Sequence, residues 1–176
     1  MNHADHVALI RTGVDGAGPR WLELGAGEGA FTLALADVLG PAARIVAVDR
    51  DRRALDEMRA RVADRFPMAA VEAVVGDFTH DLPAGPFDGV LAANSLHFVA
   101  HLEPVLGRIA ANLGRGGRFI LVEYDADRGN PWVPHPISFA RWTRIAPAAG
   151  FAMPRLIHRV PSRFLNAIYG AATSPR

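Results

Sequence analysis

The sequence predicts an α/β fold in which helices cover both faces of a doubly wound, mostly parallel sheet. Short apolar runs typical of buried strands alternate with amphipathic helical stretches along the 176 residues. A glycine-rich turn follows the first predicted strand, and acidic residues lie at or just after the ends of the first three strands. The length suits one domain, so we expect a single unit over 1–176 in which 1–19 form a lead-in segment.

The predicted elements alternate between strand and helix. The first internal helix ends at Gly40-Pro41, and the helix after the fourth strand has Pro104 in its first turn and Gly114 after its end. The predicted strands are 20–24, 44–48, 71–75, 87–92 and 118–123, and the predicted helices are 6–12, 28–39, 51–66, 102–113 and 138–146. Two more short strands are expected at 155–160 and 164–169, beyond a proline-rich loop at 130–136.

Two residue types, cysteine and lysine, are absent from the chain. Without cysteine there are no disulfides, thiolate metal sites or cysteine nucleophiles. Without lysine there is no Walker-type phosphate lysine, no Schiff base and no Tyr-x-x-x-Lys pair. No His/Asp/Glu group has metal-ligand spacing, so we expect no metal site. No signal peptide precedes the fold and no apolar stretch approaches the about 20 residues of a membrane span, which predicts a cytoplasmic protein that does not enter a membrane.

The net charge of +1 hides an uneven distribution. Residues 1–127 contain 12 arginines and all 18 acidic residues, whereas residues 128–176 contain seven arginines and no acidic residue. The two parts can complement each other within the fold, or the basic part can face an anionic substrate or partner. Composition leaves both interpretations open.

The most informative segment is the glycine-rich turn in residues 23–31, between the first strand and the first internal helix. Glycines let the backbone turn tightly there and approach a ligand closely. Gly25, Gly27 and Ala30 also fit the dinucleotide pattern Gly-x-Gly-x-x-Gly/Ala, so the turn alone does not distinguish between nucleotide cofactors.

Three acidic residues narrow the choice of ligand. Glu23 precedes the first glycine by two residues and can hold a water molecule or an ammonium group. Asp49 directly follows the second strand, where a carboxylate can accept hydrogen bonds from both ribose hydroxyls. Asp77 follows the third strand and can accept from an adenine amino group, while Phe78 can lie against the ring. A dinucleotide site does not need the third position, so the set favours S-adenosylmethionine.

With these features the sequence resembles the class I S-adenosylmethionine-dependent methyltransferases. The matching stretches are 23–31, 46–49, 76–78, 87–98 and 113–123, in the order and spacing of that family. The resemblance implies a Rossmann-like, three-layer fold with a seven-stranded sheet of order 3-2-1-4-5-7-6, whose last strand is antiparallel and is expected at 164–169. The cofactor-binding residues that it implies are Glu23, Gly25, Ala26 and Gly27 at the methionine end, Asp49 and Arg50 at the ribose, Asp77 and Phe78 at the adenine, and Asn94 beside the cofactor.

Each of these residues also has an ordinary structural interpretation. The glycine loop can be only a tight turn, and Asp49 can be the N-cap of the helix that follows it. Asp77 can be a turn residue and Phe78 an ordinary core residue.

The segment 93–98, Ala-Asn-Ser-Leu-His-Phe, resembles the Leu-His motif of small-metabolite methyltransferases. His97 can act there as a base, or it can be a packed, hydrogen-bonded residue. Glu123 follows as a second catalytic candidate, against a structural or solvated role. Further candidates for contacting the substrate are Tyr124, His135 and Arg141, of which Arg141 also fits a surface role.

The predicted function is methyl transfer to a small-molecule acceptor by in-line displacement, mainly through positioning. The alternatives are methylation of RNA or protein, a nicotinamide-dependent oxidoreductase, and a protein that binds the cofactor without catalysis. Nucleic acid is disfavoured because no Asn-Pro-Pro-Tyr-like sequence follows the fourth strand. The loops are short, so a small lid or the partner in a homodimer would have to close the site.

Overall fold

The computed structural model describes residues 1–162 and 164–176, and its centre is one seven-stranded sheet of order β3-β2-β1-β4-β5-β7-β6. The first five strands pair in parallel, and the last strand, β7, pairs antiparallel with both β5 and β6. The strands are β1 Arg20–Leu24, β2 Arg44–Asp49, β3 Ala70–Val75, β4 Phe87–Ala93, β5 Leu113–Tyr124, β6 Arg155–Pro161 and β7 Ala167–Thr173. The predicted fold class and strand order are confirmed.

Five helices flank this sheet, and each face has its own apolar core. The helices are α1 His3–Val14, α2 Ala30–Leu39, α3 Arg52–Arg65, α4 Glu103–Asn112 and α5 Phe139–Ala148. Buried residues of α1, α2 and α3 form one core with one face of the sheet, and buried residues of α4 and α5 form a second core with the other face. Two separate cores on opposite faces are what a doubly wound sheet requires. No helix in 1–162 or 164–176 is long and apolar enough to cross a membrane.

Most element boundaries lie within one to four residues of the predictions, and the differences have local causes. Helix α2 begins at Ala30 rather than at residue 28, because Gly29 at its N-cap has a φ of 83°. Helix α4 ends at Asn112, and Leu113 already pairs with Phe87 as the first residue of β5. The fifth strand is therefore twelve residues long and begins five residues before the predicted start.

The predicted position of the seventh strand, 164–169, is wrong by three to four residues. The chain turns back before β7, where Ser162 N–H donates to Asn166 C=O at 2.9 Å and Asn166 has a φ of 45°. Phe164 lies within this turn, outside the sheet. The strand then uses the small residues 170–172, which pack against neighbouring elements where larger side chains would not fit.

The lead-in helix α1 is longer than the predicted 6–12 and is packed on the sheet. Asn2 caps it: its side chain accepts the Asp5 N–H at 2.9 Å, and the Asp5 carboxylate accepts the Asn2 N–H at 3.0 Å. This reciprocal capping box starts the helix three residues earlier than its apolar pattern indicates.

Candidate active site

Two adjoining cavities lie where the parallel strands end, at the carboxyl edge of the sheet. One has a volume of about 180 Å³ and the other about 350 Å³, and Asn94 lines both. In open α/β sheets, ligands bind beyond the carboxyl ends of the strands. Together the two volumes fall within the range of roughly 300–1,000 Å³ that small-molecule sites occupy.

The glycine turn forms one wall of the smaller cavity and needs glycine for conformational reasons. Gly25 has a φ of 74°, and a Cβ at this position would lie 2.6 Å from the Ser95 Cβ. Gly27 has a φ of 51° and open space where its Cβ would be. The turn is tied to the sheet because Gly25 N–H donates to Val48 C=O at 2.8 Å. Backbone therefore faces the cavity without side-chain obstruction.

Asp49 joins the glycine turn to the end of β2. One carboxylate oxygen accepts the Gly27 N–H at 2.8 Å and the other accepts the Asp51 N–H at 2.9 Å. The N-cap of α3 is Asp51, whose side chain accepts from Arg53 and Ala54, so the N-cap interpretation of Asp49 is wrong. Asp49 also lines the smaller cavity, and its carboxylate has further lone pairs that can accept hydrogen bonds.

Glu23 is buried at the end of β1, with only 2% of its surface exposed, and it does not line either cavity. Its carboxyl accepts the Thr32 hydroxyl at 2.6 Å. Burial raises the pKa of Glu23 to about 8, against the smaller opposing effect of the Thr32 hydrogen bond. Direct contact of Glu23 with a ligand stays a prediction.

Asp77 lies beside the smaller cavity rather than in its wall. Its Oδ1 accepts both the Thr79 N–H, at 2.9 Å, and the Thr79 hydroxyl, at 2.6 Å. The Thr79 hydroxyl lowers the pKa of Asp77, and Arg50, whose Nη1 lies 3.6 Å from Asp77 Oδ2, lowers it further. This is the turn geometry that the alternative interpretation expected. Arg50 and the buried ring of Phe78 do line the cavity.

Asn94 and Ser95 bring polar atoms without partners to the junction of the cavities. Asn94 follows β4 with a φ of 51°, a left-handed conformation that asparagine tolerates better than most residues. Asn94 Oδ1 and Ser95 Oγ are buried, and neither has a hydrogen-bond partner among the described residues. Buried polar atoms are normally paired, so two unpaired ones in a cavity wall indicate a ligand position.

The smaller cavity thus contains five of the nine predicted cofactor-binding residues. They are Gly25, Asp49, Arg50, Phe78 and Asn94. Glu23, Ala26, Gly27 and Asp77 lie outside its wall, and their binding roles stay predictions. Ser95 and Phe98 line the smaller cavity as well. They were not predicted, although both belong to the segment 93–98 that resembles the Leu-His motif.

A buried histidine–carboxylate pair lies beneath the larger cavity. His97 Nδ1 is 2.7 Å from Glu123 Oε2, and the His97 backbone N–H donates to Glu123 Oε1 at 3.1 Å. The exposed fractions of the two side chains are 2% and 0%. An ionised Glu123 only accepts hydrogen bonds, so Nδ1 would carry the proton towards it. Nε2 of a neutral ring then has a free lone pair, and it makes no hydrogen bond to any described residue.

Aromatic side chains surround the larger cavity. Its lining residues are Asn94, His97, Tyr124, Trp132, Val133 and Phe164. The Phe164 ring centroid is 5.7 Å from that of Tyr124 and 6.1 Å from that of Trp132. Trp132 and Phe164 were not predicted, because the loops that carry them meet β5 only in the folded chain.

His135 and Arg141 were predicted to contact the substrate, but they line neither cavity. The His135 backbone N–H donates to His97 C=O at 3.0 Å, which ties its loop to the segment after β4. Arg141 Nη1 donates to Pro136 C=O at 2.8 Å. Both contacts hold the loop between β5 and α5 in place, and contact of either residue with a substrate stays a prediction.

A larger depression lies elsewhere on the described surface. Its volume is about 650 Å³, and it lies at the amino-terminal end of β5, far from the glycine turn. Arginines 115, 118, 155 and 176 line it together with small and apolar residues, and its described lining includes no acidic residue. No group of three or more potential metal ligands occurs among residues 1–162 and 164–176.

Comparison with known sequences identifies related proteins. A family model described as a methyltransferase domain matches residues 15–146. The ubiquinone/menaquinone biosynthesis C-methyltransferase UbiE of Ectopseudomonas mendocina is 31% identical over 115 residues, which are 65% of this chain and 44% of that protein. The chain spans about half the length of the curated relatives that it matches.

Comparison with solved structures identifies the same fold. The YcgJ protein of Bacillus subtilis matches with a TM-score of 0.76 and 16% identity, covering 99% of this chain and 100% of that one. Magnesium protoporphyrin IX methyltransferase (ChlM) from Synechocystis, solved with bound S-adenosylmethionine, matches with a TM-score of 0.72 and 18% identity, covering 97% of this chain and 77% of that one. At these identities the similarity is one of fold.

Proposed function

The chain belongs to the class I methyltransferase family, and on that premise we propose that it transfers the methyl group of S-adenosylmethionine to a small-molecule acceptor. The smaller cavity would hold the methyl donor and the larger one the acceptor. The observation that carries this proposal is the shared residue Asn94, which makes the two cavities neighbours at the carboxyl edge of the sheet. Methyl transfer by displacement needs this adjacency, since donor and acceptor must meet in line.

The residues around the smaller cavity fit the methyl donor. The unpaired Asn94 Oδ1 and Ser95 Oγ would gain partners from polar groups of a bound nucleoside amino acid. A Cβ at Gly25 would clash with Ser95, so glycine keeps this part of the wall as bare backbone that a ligand can approach. Asp49 would accept hydrogen bonds from the ribose hydroxyls and Phe78 would pack against the base, while Arg50, held beside Asp77, lines the same cavity.

When bound, S-adenosylmethionine supplies a methyl group already activated by its sulfonium sulfur. The chain then has two tasks, alignment and removal of a proton from an acceptor that carries one. His97 lines the larger cavity, and its Nε2 would be the base for the second task. Glu123 is a positioning residue, because its two oxygens fix both the ring and the backbone of His97 from beneath.

Small-molecule acceptors are supported by the size of the larger cavity and by related proteins. The relative UbiE is named for ubiquinone and menaquinone biosynthesis, and the structural neighbour ChlM for magnesium protoporphyrin IX. Methylation of RNA or protein is the second candidate, favoured only by the arginine-lined depression. A cytoplasmic location, a single domain over 1–176 and a homodimer stay predictions.

The test is cofactor binding, because it does not require the acceptor. We expect S-adenosylmethionine and S-adenosylhomocysteine to bind in isothermal titration, and S-adenosylhomocysteine at 100 times its Kd to stabilise the fold by about 2.7 kcal/mol. For a chain of this size that corresponds to a rise in Tm of roughly 5–10 °C. NADH should give no such rise.

A variant separates specific binding from general stabilisation. Asp49→Asn keeps the shape of the side chain but removes a charge that faces the smaller cavity, and it should weaken S-adenosylhomocysteine binding about tenfold or more. The matched control is Asp56→Asn on exposed α3, which should bind like the wild type. No binding of either ligand at millimolar concentration, or stabilisation by NADH alone, would overturn the proposal.

A further inference from the structure

The larger cavity is lined by rings and has little charge. Four of its six lining residues carry rings: His97, Tyr124, Trp132 and Phe164. Among the described lining residues there is no aspartate, glutamate or arginine. A cavity of this composition attracts apolar, flat surfaces and offers no counter-charge to an ionic acceptor.

Two of these rings are exposed to an unusual degree for their size. Trp132 has 69% of its surface exposed and Phe164 has 49%, whereas the other two tryptophans, Trp21 and Trp142, are fully buried. Neighbouring exposed aromatic side chains commonly mark a binding site. Their ring planes are inclined by 77°, which leaves ring faces open to a third partner.

The backbone that carries the exposed rings is held in place. Asn130 Oδ1 accepts the N–H groups of Trp132 and Val133, both at 2.9 Å. The Phe164 N–H donates to Ser162 Oγ at 3.1 Å. Since both rings stand on hydrogen-bonded turns, little conformational entropy is lost when they bind a ligand.

One polar group is available to fix the orientation of whatever binds between the rings. The Nδ1 side of His97 is occupied by Glu123, which leaves Nε2 as a hydrogen-bond acceptor within a ring-lined wall. An acceptor group on the protein calls for a donor on the ligand, and an uncharged hydroxyl meets that need without adding a charge.

From these observations we propose that the methyl acceptor is an uncharged planar aromatic compound bearing a hydroxyl group, stacked against Trp132 and Phe164 and oriented by His97. This inference rests on the proposed function, because the junction at Asn94 with the donor cavity is what makes the occupant the acceptor. Trp132 and Phe164 thereby become residues that determine specificity, to which neither the sequence motifs nor the related proteins assign a role.

The experiment is a titration of the protein, saturated with S-adenosylhomocysteine, with three bicyclic probes. We expect 2-naphthol to bind at least about tenfold more tightly than decahydro-2-naphthol, which has the hydroxyl but no flat aromatic face. It should also bind more tightly than 2-naphthoate, which adds a charge that the cavity does not compensate. Equal affinities for the three probes would overturn the proposal.

Variants locate the binding. Trp132→Ala and Phe164→Ala should each weaken 2-naphthol binding about tenfold, whereas Trp132→Phe should weaken it less than threefold because a flat ring remains. The control is Met153→Ala, which removes an apolar side chain that is 66% exposed and far from the cavity. This variant should bind 2-naphthol with the affinity of the wild type. Unchanged 2-naphthol affinity in both alanine variants would place the probe elsewhere and refute the inference.

The two proposals fail in distinguishable ways. S-adenosylhomocysteine affinity is measured on every variant, and its absence in the wild type would refute the proposed function itself. Normal S-adenosylhomocysteine binding without preference for 2-naphthol refutes only the acceptor class. The oligomeric state of the wild type and of Trp132→Ala is measured by sedimentation. If the wild type is a dimer that does not bind 2-naphthol, and the variant is a monomer, the exposed rings form a subunit contact. That result would overturn the inference.

Discussion

At the scale of single residues, Glu23 presents the largest electrostatic cost near the site. A carboxyl group with 2% exposure has one hydrogen-bond donor, the Thr32 hydroxyl, and no opposite charge within ion-pair distance among the described residues. Its pKa of about 8 means that the folded chain keeps Glu23 protonated at pH values where the unfolded chain has lost this proton. Rising pH therefore favours the unfolded state.

This gives a prediction about stability and pH. Between the model-peptide pKa of 4.5 and the folded value of about 8, the Glu23 contribution to the free energy of unfolding should fall by about 1.4 kcal/mol per pH unit. Glu23→Gln removes this contribution, because the amide does not ionise and still accepts from Thr32. We expect urea unfolding at pH 5.5, 6.5 and 7.5 to show that the free energy of unfolding of the variant, relative to that of the wild type, rises at each step.

The control is Glu57→Gln, an exposed position on α3 whose stability should follow the wild type at all three pH values. Parallel curves for wild type and Glu23→Gln would mean that Glu23 is ionised in the folded chain, and the account of its burial would then be wrong.

The sequence revealed site residues whose roles depend on nearby positions in the chain, and it did not reveal those whose partners are distant. Gly25 and Asp49 were found because the geometry at a strand end requires a particular residue type within a few positions, and Asn94 was implied by the family resemblance. Thr32, nine residues from Glu23, and Trp132, nearly forty residues from Asn94, acquire their roles only through tertiary contact. No local pattern predicts a pair of that kind.

At the scale of elements, the contact between α1 and β7 is closer than the sequence suggested. A Cβ added to Gly170 would lie 1.9 Å from the carbonyl oxygen of Leu9. Because both contacting groups belong to the backbone, the clash could be relieved only by moving α1 or β7. On the same helix, a Cβ at Gly13 would lie 2.6 Å from the side chain of Ile157. Gly170 therefore allows the lead-in helix α1 to pack directly against β7.

Gly170→Ala should therefore destabilise the fold by about 3 kcal/mol, as overpacking against fixed backbone does. The matched control is Gly107→Ala, where an added Cβ meets open space on exposed α4 and should stabilise by about 0.5–1 kcal/mol. Denaturant midpoints for both variants measure these opposite signs. A Gly170→Ala protein as stable as the wild type would show that α1 does not dock on β7 at this distance.

The same contact explains why the seventh strand was misplaced. The predicted 164–169 follows apolar character, and it includes Phe164 and Leu165, whereas β7 places Gly170 and Ala172 on the side of α1 and Ala171 in the core of the opposite face. Small residues carry little strand preference on their own. Tertiary packing selected them, and Phe164 lies outside the strand and lines the larger cavity.

At the scale of the whole molecule, part of the acid-free segment is neutralised or tied down within the fold. Arg159 lies 2.7 Å from Asp125, and Arg155 donates to the carbonyl of Thr12 at the end of α1. These contacts support the interpretation that the two parts of the chain complement each other. The arginine-lined depression draws on both parts of the chain, because Arg115 and Arg118 come from residues 1–127 and Arg155 and Arg176 from the acid-free segment.

This depression and the two cavities at the carboxyl edge lie at opposite edges of the sheet. The seven residues of β5 from Arg118 to Tyr124 span about 20 Å between them. An anion bound among the arginines therefore contacts neither cavity directly, and we expect no coupling between the two sites. Any binding of nucleic acid there should be electrostatic and unspecific, weakening roughly fifty-fold between 50 and 200 mM salt for four phosphate contacts.

The last prediction tests this separation with a single-stranded oligoribonucleotide followed by fluorescence anisotropy. The paired change Arg115→Gln and Arg155→Gln should weaken its binding and flatten the salt dependence, because two of the four lining charges are lost. Arg59→Gln with Arg144→Gln removes the same charge from exposed positions outside the depression and should have a smaller effect. Affinity for S-adenosylhomocysteine should be the same in both paired variants and with or without the oligonucleotide.

If the oligonucleotide tightens S-adenosylhomocysteine binding, linkage requires that S-adenosylhomocysteine tightens oligonucleotide binding by the same factor. The two edges would then be coupled, and a macromolecular acceptor would replace the small molecule as the better account of this site.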